Sequence, residues 1–101
     1  MGKDYEAIIR EIIGHITKKC MFDDISEFYV GITDDPDIRL FDEHNVNKEF
    51  GCWTYYEAIN DQHAREVEKR LIAQGMEGGS DGGDDSSTWV YCYKITSDTE
   101  E

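Results

Sequence analysis

Four side chains of different chemistry stand at spacings that a small fold can bring together: the phenol of Tyr29, the guanidinium of Arg39, the imidazole of His44 and the carboxylate of Glu68. Tyr29-Val30-Gly31 lies in an alternating stretch, and Arg39-Leu40 and Glu43-His44-Asn45 follow it. The pattern places the tyrosine on a strand face and the arginine and histidine on the next helix. Glu68 interrupts the apolar seam of a later helix, because it stands beside Val67, four residues after Ala64 and three before Leu71, and so projects onto the edge of a buried stripe. A carboxylate there needs compensation, either from a cation such as Arg39 or from a divalent metal in a cleft. Each group also has an ordinary structural explanation. Tyr29 is then a half-buried strand aromatic, Arg39 a surface partner of Glu43 or Asp35, His44 a helix-end residue favoured by the dipole, and Glu68 a partly exposed helix-edge glutamate.

The elements that must position these groups can be read from periodicity. Asp4 is an N-cap for a helix over 4–19, whose apolar stripe is Tyr5, Ile8, Ile9, Ile12, Ile13 and Ile16. A strand follows over Glu27–Thr33, with Phe28, Val30 and Ile32 on its buried face and Tyr29, Gly31 and Thr33 on a polar face open for chemistry. Asp34-Asp35-Pro36 starts a short helix over 36–45. A second strand runs over Trp53–Ile59, and Asn60 or Asp61 caps a helix with the seam Ala64, Val67, Leu71 and Ile72, which Gly75 stops. On that helix Asp61 pairs with Arg65, and Glu66 with Arg70. Residues 76–88 form a glycine-rich acidic loop without a core-filling residue. Its Asp81, Asp84 and Asp85 miss the spacing of a calcium loop. A third strand spans Thr88–Ile95. The order is α, β, α, β, α, β, an α+β fold with a small three-stranded, mostly antiparallel sheet and about three helices. Core packing accounts for Trp53, Tyr55, Tyr56, Trp89, Tyr91 and Tyr93 better than a base-stacking platform does.

The string YVGITDDPDIRLFDEHN resembles the second half of the GIY-YIG nuclease signature, and AREVEKRLI resembles that family's later helix, in which an alanine precedes a metal-binding glutamate by four residues. The likeness covers roughly residues 27–75 and implies a GIY-YIG-like fold. It implies that Tyr29 is the tyrosine of the second motif, Arg39 the helix arginine, and Glu68 the carboxylate ligand of Mg²⁺ or Mn²⁺. His44 matches the histidine of the short single-domain members. The implied chemistry is phosphodiester hydrolysis. A tyrosine phenolate or tyrosine-held water would act as base or orienter, Arg39 would steady phosphoryl charge, and a metal on Glu68 would stabilise the leaving oxygen. Where the family has its first strand and first tyrosine, this chain has Lys18-Lys19-Cys20-Met21. The C-terminal strand STWVYCYKI has the texture of that opening strand, so the resemblance implies that Tyr91 or Tyr93 takes the vacant position in a circularly permuted arrangement.

With 101 residues, 39% apolar and 33% charged, the chain suits one domain over 1–101. No apolar run is long enough for a membrane span, and the N-terminus carries charges where a signal peptide needs an apolar centre, so a cytoplasmic, non-membrane protein is expected. Cys20, Cys52 and Cys92 are odd in number and widely spaced, and are read as free thiols. His15, His44 and His63 do not sit at metal-finger spacing from them, so zinc is set aside. The net charge of −13 opposes avid binding of DNA or other nucleic acid. It is uneven: +1 for residues 1–21, −7 for 22–50, −1 for 51–75 and −6 for 76–101. A metal-dependent nuclease or a degenerate derivative is one reading. The alternative is a non-catalytic acidic interaction module that binds a basic protein partner or mimics nucleic acid.

Overall fold

The isoleucine spacing of the N-terminus and the alanine-valine-leucine seam near residue 67 produce two helices that share one buried layer. The computed structural model describes residues 2–21, 24–49, 51–78 and 87–100. Helix α1 spans Tyr5–Gly14, with Asp4 Oδ1 accepting from the Ala7 N–H at 2.8 Å. The expected 4–19 helix does not stay α-helical. It continues as a π-helical turn over His15–Lys19, closed by the Cys20 N–H donating to the His15 carbonyl at 3.0 Å. Helix α2 spans Asp61–Ala73. Asn60 Oδ1 caps it by accepting from the His63 N–H at 2.9 Å, and Gly75 ends it at φ +121°, a conformation that glycine adopts without steric cost. The expected ion pairs form, Asp61–Arg65 at 3.5 Å and Glu66–Arg70 at 2.6 Å.

The strands are β1 (Phe28–Thr33), β2 (Trp53–Glu57), β3 (Glu77–Gly78) and β4 (Trp89–Lys94), in the order β2-β4-β1-β3. β4 pairs antiparallel with both β1 and β2, whereas β3 pairs parallel with β1. The fold is α+β as expected, but the sheet is four-stranded and mixed rather than three-stranded. The added strand has only two residues, too few for an alternating pattern to show. The second strand ends at Glu57, two residues short of expectation, and Ala58 instead bridges Lys3.

Alternation divides the strands between two cores. Phe28, Val30, Ile32, Val90 and Cys92 face Ile8, Ile12 and Ile16 of α1 and Ala64, Val67 and Leu71 of α2. Tyr29, Tyr91 and Tyr93 face the other way, with Leu40 and Val46. The face of Tyr29, Gly31 and Thr33 was expected to be open, yet all six residues of β1 are buried. The reason is the segment after Pro36, a π-helical turn over Ile38–Glu43 that brings Leu40 down onto the tyrosines. Met76 also corrects the expectation of a loop with nothing for the core, because it is 3% exposed within the helix-side cluster. The carboxylates Asp81, Asp84 and Asp85, expected on a solvated loop, lie outside the described residues. The described residues include no helix long and apolar enough to cross a membrane.

Candidate functional site

Cross-strand register assembles the aromatic cluster. Tyr29 of β1 stands opposite Tyr93 of β4, and Gly31 opposite Tyr91. The expected union of the C-terminal strand with Tyr29 is therefore present in space. Gly31 is the residue that permits it: a Cβ there would collide with the ring and hydroxyl of Tyr91, so the tyrosine lies across the bare backbone. The rings of Tyr29 and Tyr93 are stacked with centroids 5.3 Å apart, and the His44 ring lies 4.9 Å from both.

His44 is buried at 4% exposure, deeper than a helix-end residue, at the close of the Ile38–Glu43 turn. Its Nδ1 lies 2.6 Å from the Glu100 carbonyl and its Nε2 2.8 Å from the Tyr91 hydroxyl. A carbonyl only accepts, so Nδ1 carries the proton and neutral Nε2 presents a lone pair to the Tyr91 O–H. The Glu100 N–H donates back to the His44 carbonyl at 2.8 Å, which clamps the backbone of the same residue. The Tyr93 hydroxyl lies 3.0 Å from Nδ1. Glu100 has no side-chain signal for this role, since only its backbone takes part.

Arg39 reaches the cluster from the same turn. Its Nη2 donates to the Tyr91 hydroxyl at 3.3 Å, while Nη1 pairs with Glu43 at 3.1 Å. Thus Arg39 does not partner Glu68, as the sequence suggested, but does pair with Glu43. Its Nε is buried without a hydrogen-bond partner among the described residues, an unmet donor of the kind that costs free energy until an acceptor arrives.

Glu68 lies on α2, across the sheet from the tyrosines, and is half-buried. Burial pushes its pKa up to about 7, with the charge of Arg65 opposing. Among the described residues no hydrogen bond or ion pair reaches it. Its negative charge is nonetheless felt at Tyr91, whose phenol is pushed up to about 12, chiefly by burial, against the pull of Arg39. β3 covers the edge of β1 only at Tyr29 and Val30. The bare Gly31 lies one residue beyond that cover, where the ring of Tyr91 crosses it.

No protein-family model, curated protein or solved structure matches the chain.

The cluster's accessibility is uneven. Tyr91 and Tyr93 are fully buried and Tyr29 is 8% exposed, whereas the Arg39 side chain is 39% exposed. Arg39 is therefore the solvent-facing cover of the phenols, and its ion pair with Glu43 is a surface contact worth about 0–1 kcal/mol. Two shallow surface hollows, about 290 and 430 Å³, lie elsewhere, lined by residues of α1 and α2 with Arg70 in both. A lone half-buried carboxylate suits a hard divalent cation that keeps several of its waters. The unmet Nε of Arg39 suits an anion. Both fit the groups that the sequence resemblance implies.

Proposed function

We propose that the chain is a GIY-YIG-like, metal-dependent phosphodiester hydrolase with a circularly permuted order of elements, in which Tyr91 takes the position of the first-motif tyrosine. The observation that carries this reading is the Tyr91 hydroxyl, which accepts from Arg39 and lies within hydrogen-bond reach of His44 Nε2. Arg39 would recruit a phosphodiester by exchanging Glu43 for phosphoryl oxygens and offering its unmet Nε. At neutral pH Tyr91 holds its proton. It can accept one from an attacking water only as it hands its own to His44 Nε2, with Arg39 stabilising the phenolate character that develops. Tyr29 and Tyr93 fix the imidazole by ring contact, and Glu100 fixes its tautomer. Glu68 would hold Mg²⁺ or Mn²⁺, which when bound would stabilise charge on the leaving oxygen. This reading sets the chain in the cytoplasm with nucleic acid as substrate.

The net charge of −13 and the full burial of Tyr91 and Tyr93 favour a second reading, a non-catalytic acidic module that binds a basic protein partner. Nicking of supercoiled DNA with Mg²⁺ or Mn²⁺ separates the two. Metal-dependent nicking that Glu68→Gln loses supports the hydrolase; equal traces in both proteins count against it. The acidic module instead requires capture of a basic protein at low salt that is lost when Asp34, Asp35 and Asp37 are changed to asparagine.

A further inference from the structure

A second cluster lies away from the tyrosines, where the end of the N-terminal helical stretch meets the chain entering β2. The expectation of three free thiols fails here: Cys20 and Cys52 are joined as a disulfide, with Cα atoms 6.0 Å apart. Thirty-two residues of separation conceal this contact in the sequence. His15 completes the group, and its ligating nitrogen and the two sulfurs all lie within 4.8 Å of one another.

The π turn creates this proximity. In an α-helix residues 15 and 20 would point about 140° apart around the axis, but the Cys20 N–H to His15 carbonyl bond spans five residues and stacks the two on one face. Burial, and then the charge of Lys19, lower the His15 pKa, with the Trp53 backbone opposing them. All three residues are half-buried, so the group is neither sealed in the core nor scattered on the surface.

We infer that His15, Cys20 and Cys52 form a redox-gated binding site for a thiophilic divalent cation, Zn²⁺ above all. In the oxidised form the sulfurs are bonded to each other and cannot bind metal. A dithiol reductant delivers two electrons and two protons to the Cys20–Cys52 bond, which breaks to two thiols while the reductant closes to its own disulfide. Metal binding then releases both thiol protons to solvent and forms two metal–sulfur bonds and one metal–imidazole bond. Donors of one zinc tetrahedron lie about 3.5–3.8 Å apart, as bonds of about 2.3 and 2.0–2.1 Å require, so side-chain rotation is enough to open the sulfurs around an ion. Three protein ligands leave a fourth position for water or an exogenous ligand. Cys92 has no part in the site, being fully buried with its thiol pushed up to about 12. This inference does not depend on the proposed hydrolase.

Co²⁺ is the probe. The full chain, reduced with a dithiol and freed of reductant under anaerobic conditions, is titrated with Co²⁺ and followed by absorption and circular dichroism. The expected result is one Co²⁺ per chain, with thiolate-to-cobalt charge-transfer bands in the near ultraviolet and visible bands of a four-coordinate ion, all bleached by Zn²⁺. The oxidised protein should show none of them. Cys20→Ser and Cys52→Ser should abolish the bands, Cys92→Ala should retain them, and His15→Ala should alter the visible bands and weaken binding by about tenfold or more. Should the reduced chain lose its fold, Co²⁺ must restore the native dichroism. Absent bands in a folded, reduced protein, a reduced chain that metal does not refold, or a His15→Ala variant indistinguishable from wild type would each overturn the site.

Discussion

Glu68→Gln should make the protein more stable at alkaline pH while removing its proposed metal ligand. The wild-type carboxyl, ordinarily at 4.5, is raised to about 7 by burial on the edge of the α2 seam. A carboxyl with a raised folded-state pKa binds its proton more tightly in the folded chain. Its contribution to stability is therefore fully present below about pH 4.5 and is lost as pH rises to about 7. The whole difference corresponds to at most about 3 kcal/mol, and the solvent access that Glu68 retains reduces it to about 1–2 kcal/mol. Glutamine imitates the protonated group at every pH. Urea unfolding across the range should show the variant and wild type equal near pH 4, and the variant ahead by about 1–2 kcal/mol near pH 8. Mg²⁺ at the higher pH should restore the wild type and leave the variant unchanged. A difference independent of pH, or a variant less stable near pH 8, would refute the assignment of Glu68 as an uncompensated carboxylate.

Other outcomes test the packing around the site. Gly31→Ala should cost about 2 kcal/mol in urea unfolding, because its methyl group meets the Tyr91 ring between paired strands; an unchanged midpoint would mean that Tyr91 does not lie over β1. Reduction of the Cys20–Cys52 bond in metal-free protein should lower stability by about 4 kcal/mol, as expected for releasing a loop of this separation. Equal unfolding of oxidised and reduced chains would remove the cross-link from the account.

Much of the fold was legible because apolar spacing carries it. The stripe of Ile8, Ile12 and Ile16, the Asn60 cap and the alternation of Phe28, Val30 and Ile32 each read locally and hold in space. What periodicity cannot show is what lies on a strand's second face. Tyr29, Gly31 and Thr33 read as a polar face, but Leu40 and His44 close over it, because a helix that shifts to π geometry after Pro36 directs residues inward that an α-helical wheel places otherwise. The same geometry hid His15 and Cys20 from each other. Tyr91 was recoverable only through the resemblance and the alternation of its strand. The backbone of Glu100 and the bareness of Gly31 act without any side-chain signal. Of the two kinds of partner the sequence offered Arg39, the distant Glu68 and the acidic neighbours Glu43 or Asp35, it takes Glu43, four residues along its own turn.

The proposed hydrolytic role of the phenol that Arg39 and His44 both engage is tested most directly by metal-dependent nicking of supercoiled DNA with Tyr91→Phe. The substitution keeps the ring over Gly31 and removes only the hydroxyl that Arg39 and His44 engage. A hydrolytic site predicts Mg²⁺- or Mn²⁺-dependent nicking by the wild type that falls by about 10²-fold or more in the variant, with the urea midpoint nearly retained. Nicking by Tyr91→Phe at the wild-type rate, or a wild type that does not nick with either metal, would contradict it.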